Sequence, residues 1–392
     1  MKHAYSTLLD VDNEGKVVPD LAESYEMKSD TEYVFKLRED ACFWDGTPVT
    51  AQDVKFSLDR AKGMPKTKSN TSKIEEVTVN GDHEVTIKLT EPYAAFKTIV
   101  TQHNLSILSE KAVTEAGDSY GDVDNLLGSG PFKVTEWVPN DHYTLVRNDN
   151  YWGEMPIATS ITCRVIPEGS ARTIALEAGE IDVVWSVDPT DCANVESNPD
   201  VKLLSQPSTG IDYVGMNTQK EKFSDKRVRQ AINYALDKQT FVDTIIEGRG
   251  LVANSYINAA IPGWTDEVEA YPYDPEKAKE LLAEAGYPDG FECSIFVNGD
   301  LRTRSAQILQ AQLADVGIKV DISTYEWGAL LDTLNAGEHE MFLLGWSNTS
   351  FDPDGSTYQL FYSGNHGATG GLDEVQIGEI KDRNDKLCEL AK

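Results

Sequence analysis

Gly210–Asp237, GIDYVGMNTQKEKFSDKRVRQAINYALD, is the stretch on which the fold turns. It opens as a strand: Ile211, Tyr213 and Gly215 alternate with Val214 and Met216, the two-residue period of a pleated chain. It closes as a helix. Ser224 is placed to cap it, Asp225 falls in the first turn where the helix dipole favours an anion, and Val228, Ile232 and Leu236 recur every four residues as one apolar stripe. A strand running straight into an amphipathic helix at mid-chain is either a crossing between two lobes or an ordinary βα unit inside one domain. The pattern alone leaves both open.

Downstream, the alternation is regular. A helix carrying Ala278, Leu281, Leu282 and Ala285 stops at Gly286 with Pro288 beyond it. Strand ECSIFVNG, helix RSAQILQAQLADVG, strand KVDISTYEW, helix GALLDTLNAG and strand MFLLGW follow. The last is nearly continuous in apolar residues, as a strand covered on both faces must be. Such βαβ succession predicts an α/β lobe. A further apparent helix, EVQIGEIKDRNDKLCELA, runs to the end of the chain.

Upstream, ITCRVIPE, SARTIALEAG and IDVVWSV read as strand, helix and strand, with Ser170 as cap and Gly179 as stop. That unit implies a parallel sheet, and Trp185 at its carboxyl end is a candidate ligand contact, because ligands of open α/β sheets gather outside those ends. Packing between lobes would explain the same residue. Nearer the start, residues 1–20 form a hairpin, Glu32–Leu37 a strand, and Trp44-Asp45-Gly46 a tight turn. Thr50 caps a helix with Asp53 in a short capping box, and Val54, Leu58 and Ala61 form its buried stripe. A second hairpin turns at Asn80-Gly81-Asp82. Strands around Phe132 and Tyr143 meet at an Asn140-Asp141 turn.

Composition bounds the chemistry. In 392 residues, 40% are hydrophobic and 26% charged, a globular mix large enough for two or three domains. Thirty-five Lys and Arg stand against 65 Asp and Glu, for a net charge of -30. Such a surface repels a phosphate backbone and anionic lipid, so nucleic acid is not an expected partner. No run is long and apolar enough for a membrane span, and no leader is visible at Met1. Five scattered cysteines lack any C-x-x-C spacing, so neither zinc nor a disulfide frame is indicated.

The catalytic and metal motifs fail on inspection. Asp10, Asp12, Glu14 and Gly15 imitate the start of a calcium loop, but Pro19 interrupts it and Leu21 occupies the place of the bidentate Glu. Gly128–Gly130 lacks the Lys-Ser/Thr of a phosphate cradle and precedes a strand. Glu338-His339-Glu340 is a lone cluster, and the histidines show no paired helical spacing. No nucleophile elbow occurs. No catalytic residue, metal or cofactor is therefore assigned.

Several strings carry a resemblance. An aromatic strand ends in Asn217 and is followed by Phe223-x-Asp225, Arg227-Val228-Arg229-x-Ala231-Ile232 and Ala235-Leu236-Asp237-Lys238. Earlier stand Leu21-Ala22-Glu23-Ser24, Phe35-x-Leu37-Arg38, Asp45-Gly46-Thr47-Pro48, Thr50-Ala51-x-Asp53-Val54 and Arg147-Asn148-x-x-Tyr151-Trp152. Together these resemble, along nearly the whole chain, the extracytoplasmic solute-binding proteins of ABC importers for dipeptides, oligopeptides and nickel. The resemblance implies an α/β, two-lobed periplasmic-binding-protein type II fold with an additional small α+β subdomain. Residues 1–20 and 127–218 would form lobe I, 21–126 the small subdomain and 219–392 lobe II. It also implies a non-enzymatic monomer outside the cytoplasm, in the periplasm or lipid-anchored, closing on a solute and meeting a membrane permease. Family members extend further at both ends, so this chain is expected to be a shortened one. A ligand-sensing receptor ectodomain and, less favoured, a hydrolase on a similar fold are the alternatives.

The expected site centres on Gly345–Tyr358, GWSNTSFDPDGSTY, which follows the apolar strand. Trp346 offers a flat platform, and Ser347, Asn348, Thr349 and Ser350 offer neutral hydrogen bonds. In the peptide binders that this chain resembles, the third residue after that Trp is an Asp gripping the ligand's amine; here it is Thr349, which cannot supply a charge-assisted bond. An Arg that grips the carboxylate there corresponds to about Asn298-Gly299, with Arg302 and Arg304 following. Asp352 belongs to the Asp-Pro-Asp turn. The expectation is an uncharged or partly charged solute, peptide-like, opine-like or a glycoside, held by Trp346, Thr349, Tyr213, Asn217, Ser347, Asn298 and Trp185.

Overall fold

A computed structural model describes residues 3–64, 67–349 and 351–361. The helix expected over the last residues, with Cys388, lies outside them, as does Ser350. The chain divides into two compact units, Met1–Pro167 and Glu168–Lys392.

In the first unit, β1 (Leu9–Val11) and β2 (Val17–Pro19) form the expected hairpin. Asp12 Oδ1 accepts from the amides of Glu14 and Lys16, each at 2.9 Å, so this carboxylate builds the turn. A four-stranded antiparallel sheet follows in the order β3 (Ala22–Ser29), β4 (Glu32–Leu37), β6 (Glu84–Leu89), β5 (Ile74–Gly81). The loop joining β5 to β6 is Asp82-His83, slightly later than the sequence suggests. Helix Ala51–Lys62 lies against this sheet through Val54 and Leu58. Its capping box is present: Thr50 Oγ1 accepts from the Asp53 amide, and Asp53 Oδ2 accepts from the Thr50 amide at 2.9 Å. Tyr33, Phe35 and Phe96 meet in the core beneath it, with Tyr33 and Phe96 centroids 4.9 Å apart.

The rest of that unit is a three-stranded antiparallel sheet, β7 (Phe132–Val138), β8 (His142–Arg147) and β9 (Ser160–Arg164). Asn140 takes φ 63 in the turn between β7 and β8. The Gly128–Gly130 stretch has a packing explanation. A Cβ on Gly128 would stand 2.0 Å from the Ala4 carbonyl, and Trp44 and Trp152 donate to the carbonyls of Gly130 and Ser129. The glycines admit the N-terminal segment and two indoles, which leaves no room for a phosphate.

The second unit is built on the sheet β10 (Gly210–Met216), β13 (Met341–Ser347), β11 (Glu292–Val297), β12 (Lys319–Thr324), in that spatial order. The opening stretch therefore supplies an edge strand antiparallel to β13, which itself runs parallel to β11. As the apolar run predicted, β13 is interior, with Met341 to Leu344 all buried. Met341 and Leu343 join one core with helices Lys226–Ala235, Pro275–Glu284 and Asp300–Ala314; Phe342 and Leu344 join another with Leu330 and Leu334 of helix Trp327–Asn335. Burying a side chain of this size contributes about 1.5–3 kcal/mol.

Three local readings are corrected. Ser224 does not cap the 226–235 helix: it closes a separate turn, Glu221–Ser224, and Asp225 is the cap, accepting from the Arg227 amide at 2.8 Å. The Arg227 side chain also bonds Asp225 and holds its carboxyl below the usual range, a charge-assisted cap that a hydroxyl cannot match. Ser170 lies inside helix Gly169–Glu177, whose cap position is Glu168. Ile181–Val187 is not a strand: Ser186 has φ 64, which no extended chain adopts, and Asp188 turns the backbone by accepting from Thr190.

Candidate functional site

β10 and β13 are paired with Ile211 opposite Trp346, Asp212 opposite Gly345 and Tyr213 opposite Leu344. Because β11 and β12 run parallel to β13, the carboxyl ends of three strands and the start of β10 share one edge. This is the edge at which ligands of α/β sheets collect.

Trp346 sits there half-buried, its Nε1 donating to the Gly355 carbonyl at 3.0 Å, so the first turn of helix Asp354–Phe361 fixes the indole. A ring held in one orientation loses little freedom when it stacks on a ligand. Ser347 and Thr349 follow it, both exposed. Between them Asn348 is buried, and its Nδ2 donates to the Asp352 carbonyl at 2.7 Å and to Ser356 Oγ at 3.0 Å. Asp352 Oδ1 accepts from the Asp354 amide, so the Asp-Pro-Asp turn does shape the loop. Asn298 lies one residue past β11, where its Nδ2 donates to the Tyr325 carbonyl at 2.9 Å and ties together the ends of β11 and β12.

Tyr213 is two positions along β10, edge-on to Phe342 at 5.9 Å, within the cluster of Phe296, Leu330 and Leu344. Burial pushes its phenol up to about 12 against the pull of Arg302, so it is neutral at physiological pH.

One of the expected residues is not brought to this edge. Asn217 follows the far end of β10, about 20 Å of strand away from the Ile211–Trp346 pair. Its amide donates to the carbonyls of Gly337 and His339, which makes it a clasp for the 337–340 turn. Trp185, on the irregular segment that replaces the expected strand, is 90% exposed. Nearby, a concavity of about 370 Å³ is lined by Ser170, Asp188, Asp300, Thr303 and Arg304 among others.

The edge also holds residues that sequence reasoning missed or undervalued. Asn258, from the loop after residue 250, donates to the Gly210 carbonyl at 2.7 Å. Asp212 and Arg302 face one another across Gly345, Oδ1 and Nη2 being 3.8 Å apart. Burial raises the Asp212 carboxyl above its usual range, Arg302 pulling the other way, although 71% of the side chain is open to solvent. The uniformly uncharged surround expected from Ser347 and Thr349 is thus incomplete. The signal was legible only as an Asp in an otherwise apolar strand start.

At the opposite end of the sheet, His339 is buried with Nδ1 unpartnered among the described residues, and its ring meets Phe342 at 5.3 Å. Burial, with Lys220 nearby, lowers its pKa to about 4. Glu340 is taken up by Lys222 and Ser294, so it does not converge with His339 on a common point.

Comparison with known proteins gives this geometry a context. Residues 16–368 match the model of the bacterial extracellular solute-binding proteins, family 5. The dipeptide-binding protein of Escherichia coli (strain K12) is 31% identical over 383 residues, covering 88% of this chain and 70% of that protein. Two solved structures, each 28% identical with a TM-score of 0.86, are also similar. One is the ABC transporter-associated periplasmic binding protein DppA from Helicobacter pylori in complex with the peptide STSA, covering 99% of this chain and 84% of that one. The other is a binding protein from A. tumefaciens R10 in complex with agropinic acid, covering 98% and 79%.

Proposed function

The chain belongs to the bacterial extracellular solute-binding proteins of family 5, and from that premise we propose which solute it takes and where. It is the solute-binding component of an ABC importer and makes or breaks no bond in its solute. Among the described residues no helix is long and apolar enough to cross a membrane. Its place is outside the cytoplasm, in the periplasm or lipid-anchored at the outer face of the cell membrane, and it hands its cargo to a membrane permease as a monomer.

The solute is a small peptide-like or opine-like molecule that meets the edge formed by Trp346, Ser347, Thr349, Asn298 and Tyr213. One observation carries this reading: the fixed, half-buried indole of Trp346 lies at the carboxyl-end edge beside exposed hydroxyls. A flat apolar platform with a few convergent polar groups is the usual construction of a small-molecule site. Asn217 is left out of it. The dipeptide, peptide and agropinic acid named for the relatives set the range of chemistry to be tried. Thr349 argues against the extended free amino terminus as the principal handle, since an ammonium needs a carboxylate to replace its lost hydration.

Calorimetric titration with dipeptides, N-blocked peptides, opines and glycosides tests it. At least one should bind at micromolar affinity or tighter and lose at least tenfold with Trp346→Ala. Binding that is indifferent to Trp346, or no binding by any solute, overturns the reading.

A further inference from the structure

Asp212 and Arg302 form an ion pair that is left open. Their nearest atoms are 3.8 Å apart, whereas a closed charge-assisted bond brings nitrogen and oxygen to about 2.7–2.9 Å. Arg302 Nε is buried without a hydrogen-bond partner among the described residues, and the Arg302 side chain is 28% exposed. Asp212, at 71%, keeps most of its surface free. Both ends are kept clear by Gly345, directly opposite Asp212 in the register. A Cβ there would stand 2.7 Å from Asp212 Oδ1 and 3.3 Å from Arg302 Nη2. Arg302 Nη2 and the uncapped carboxylate therefore face one space above a floor that has no side chain.

We infer that this pair receives a zwitterionic α-amino-acid head group, an ammonium and a carboxylate borne on a single carbon. The ammonium lies on Asp212 and the carboxylate on Arg302 Nη2, so four charges alternate and these two atoms, 3.8 Å apart, each gain a closer partner. Such a head fits two counter-charges 3.8 Å apart. An α-linked dipeptide in extended form does not, because its termini lie about 7 Å from each other at 3.3–3.6 Å per residue. The rest of the solute then runs along the edge toward Ser347, which shares the face of Asp212 and Gly345. This rests on the reading of the chain as a solute-binding protein and narrows its solute to molecules that display an intact amino-acid head, such as side-chain-linked glutamyl compounds.

The test uses isomers. γ-Glutamylglycine has the zwitterionic head intact; α-glutamylglycine has the same atoms with its terminal charges apart; N-acetyl-γ-glutamylglycine has lost the ammonium. Calorimetry should find the γ-isomer at least tenfold tighter than either, with that preference abolished in Asp212→Asn and in Arg302→Gln. Both variants change exposed or half-exposed side chains, and unchanged melting temperatures would verify that they fold. If the two isomers bind alike, if neither binds while another solute does, or if both variants keep the preference, the inference falls and the broader reading stands. If no solute of any class binds, the broader reading falls with it.

Discussion

Lys222 Nζ stands 2.8 Å from Glu340 Oε1, and the other oxygen of Glu340 accepts from the amide of Ser294 at 2.9 Å. One carboxylate thus joins the turn before helix 226–235, the start of β11 and the residue entering β13. Burial alone would raise the Glu340 carboxyl, but the bonds to Lys222 and Ser294 outweigh it and hold the carboxyl below its ordinary range. The first prediction follows: Glu340→Gln loses the ion pair but retains an acceptor, and Glu340→Ala loses both. Because about a fifth of the side chain is exposed, the cost is moderate, about 1 kcal/mol for Gln and about 2 kcal/mol for Ala. Urea unfolding at neutral pH checks the order. Equal losses would mean that the retained acceptor contributes nothing and the ion pair carries the whole effect.

A second prediction concerns acid. His339 is held neutral by burial, with a pKa of about 4 against 6.5 for the free side chain. Between those values the unfolded chain binds a proton that the folded chain refuses, so stability is full above pH 6.5 and declines as the pH falls toward 4. At its largest the loss is roughly 3 kcal/mol, from 1.36 kcal/mol per unit. Glu340 adds a loss lower down, because a carboxyl held below its ordinary range costs stability once acid protonates it. His339→Gln should flatten the slope between pH 6.5 and 4 in denaturant titrations while leaving the part due to Glu340. An unchanged slope would place the acid sensitivity elsewhere.

The sequence announced the elements of the second unit because each rests on a short-range signal. Gly286, the apolar run Met341–Leu344 and the stripe through Val228 and Ile232 are local facts, and the structure honours each. The strand read at Ile181–Val187 failed because β-branched residues state only a preference, which the positive φ at Ser186 and the Asp188 turn override. The site was half legible. Trp346 and Ser347 were reached through the strand that precedes them. Asn217 was misplaced because strand polarity, and so which end of β10 meets the ligand edge, depends on pairing with β13 over a hundred residues away. Asp212 was passed over, and Arg302 was named only as following the expected carboxylate grip, for the same reason, since no local pattern brings positions 212, 302 and 345 to one point.

In the first unit, Thr50 and Asp53 are more than a cap. Asp53 Oδ2 serves Thr50, while its Oδ1 accepts from the Glu110 amide at 2.9 Å, fastening the start of helix Glu110–Ala116 to that of Ala51–Lys62. Thr50→Ala should cost about 1 kcal/mol, the usual value of a cap. Asp53→Ala should cost more, about 2 kcal/mol, since it also leaves the partly buried Glu110 amide without that partner. A double mutant no worse than Asp53→Ala would mark the two as one unit. Full additivity would separate them.

The last prediction addresses the binding edge through a residue with no side chain. Gly345 is exposed and lies in an extended strand, so Gly345→Ala should fold with little change in melting temperature. The new methyl group, however, would approach Asp212 Oδ1 to 2.7 Å and Arg302 Nη2 to 3.3 Å. The Asp212 side chain is 71% exposed and would swing outward, and the space between it and Arg302 would fill with hydrocarbon. Affinity for a solute anchored there should fall at least tenfold, about 1.4 kcal/mol. Gly210→Ala, at the other end of the same edge, would crowd only the hydroxyls of Ser208 and Ser347 and should cost less. Calorimetry on the two variants, with whichever solute binds the wild-type protein, distinguishes them. If Gly210→Ala proves the more damaging, the solute's anchor lies toward Ser347 instead of the Asp212–Arg302 pair.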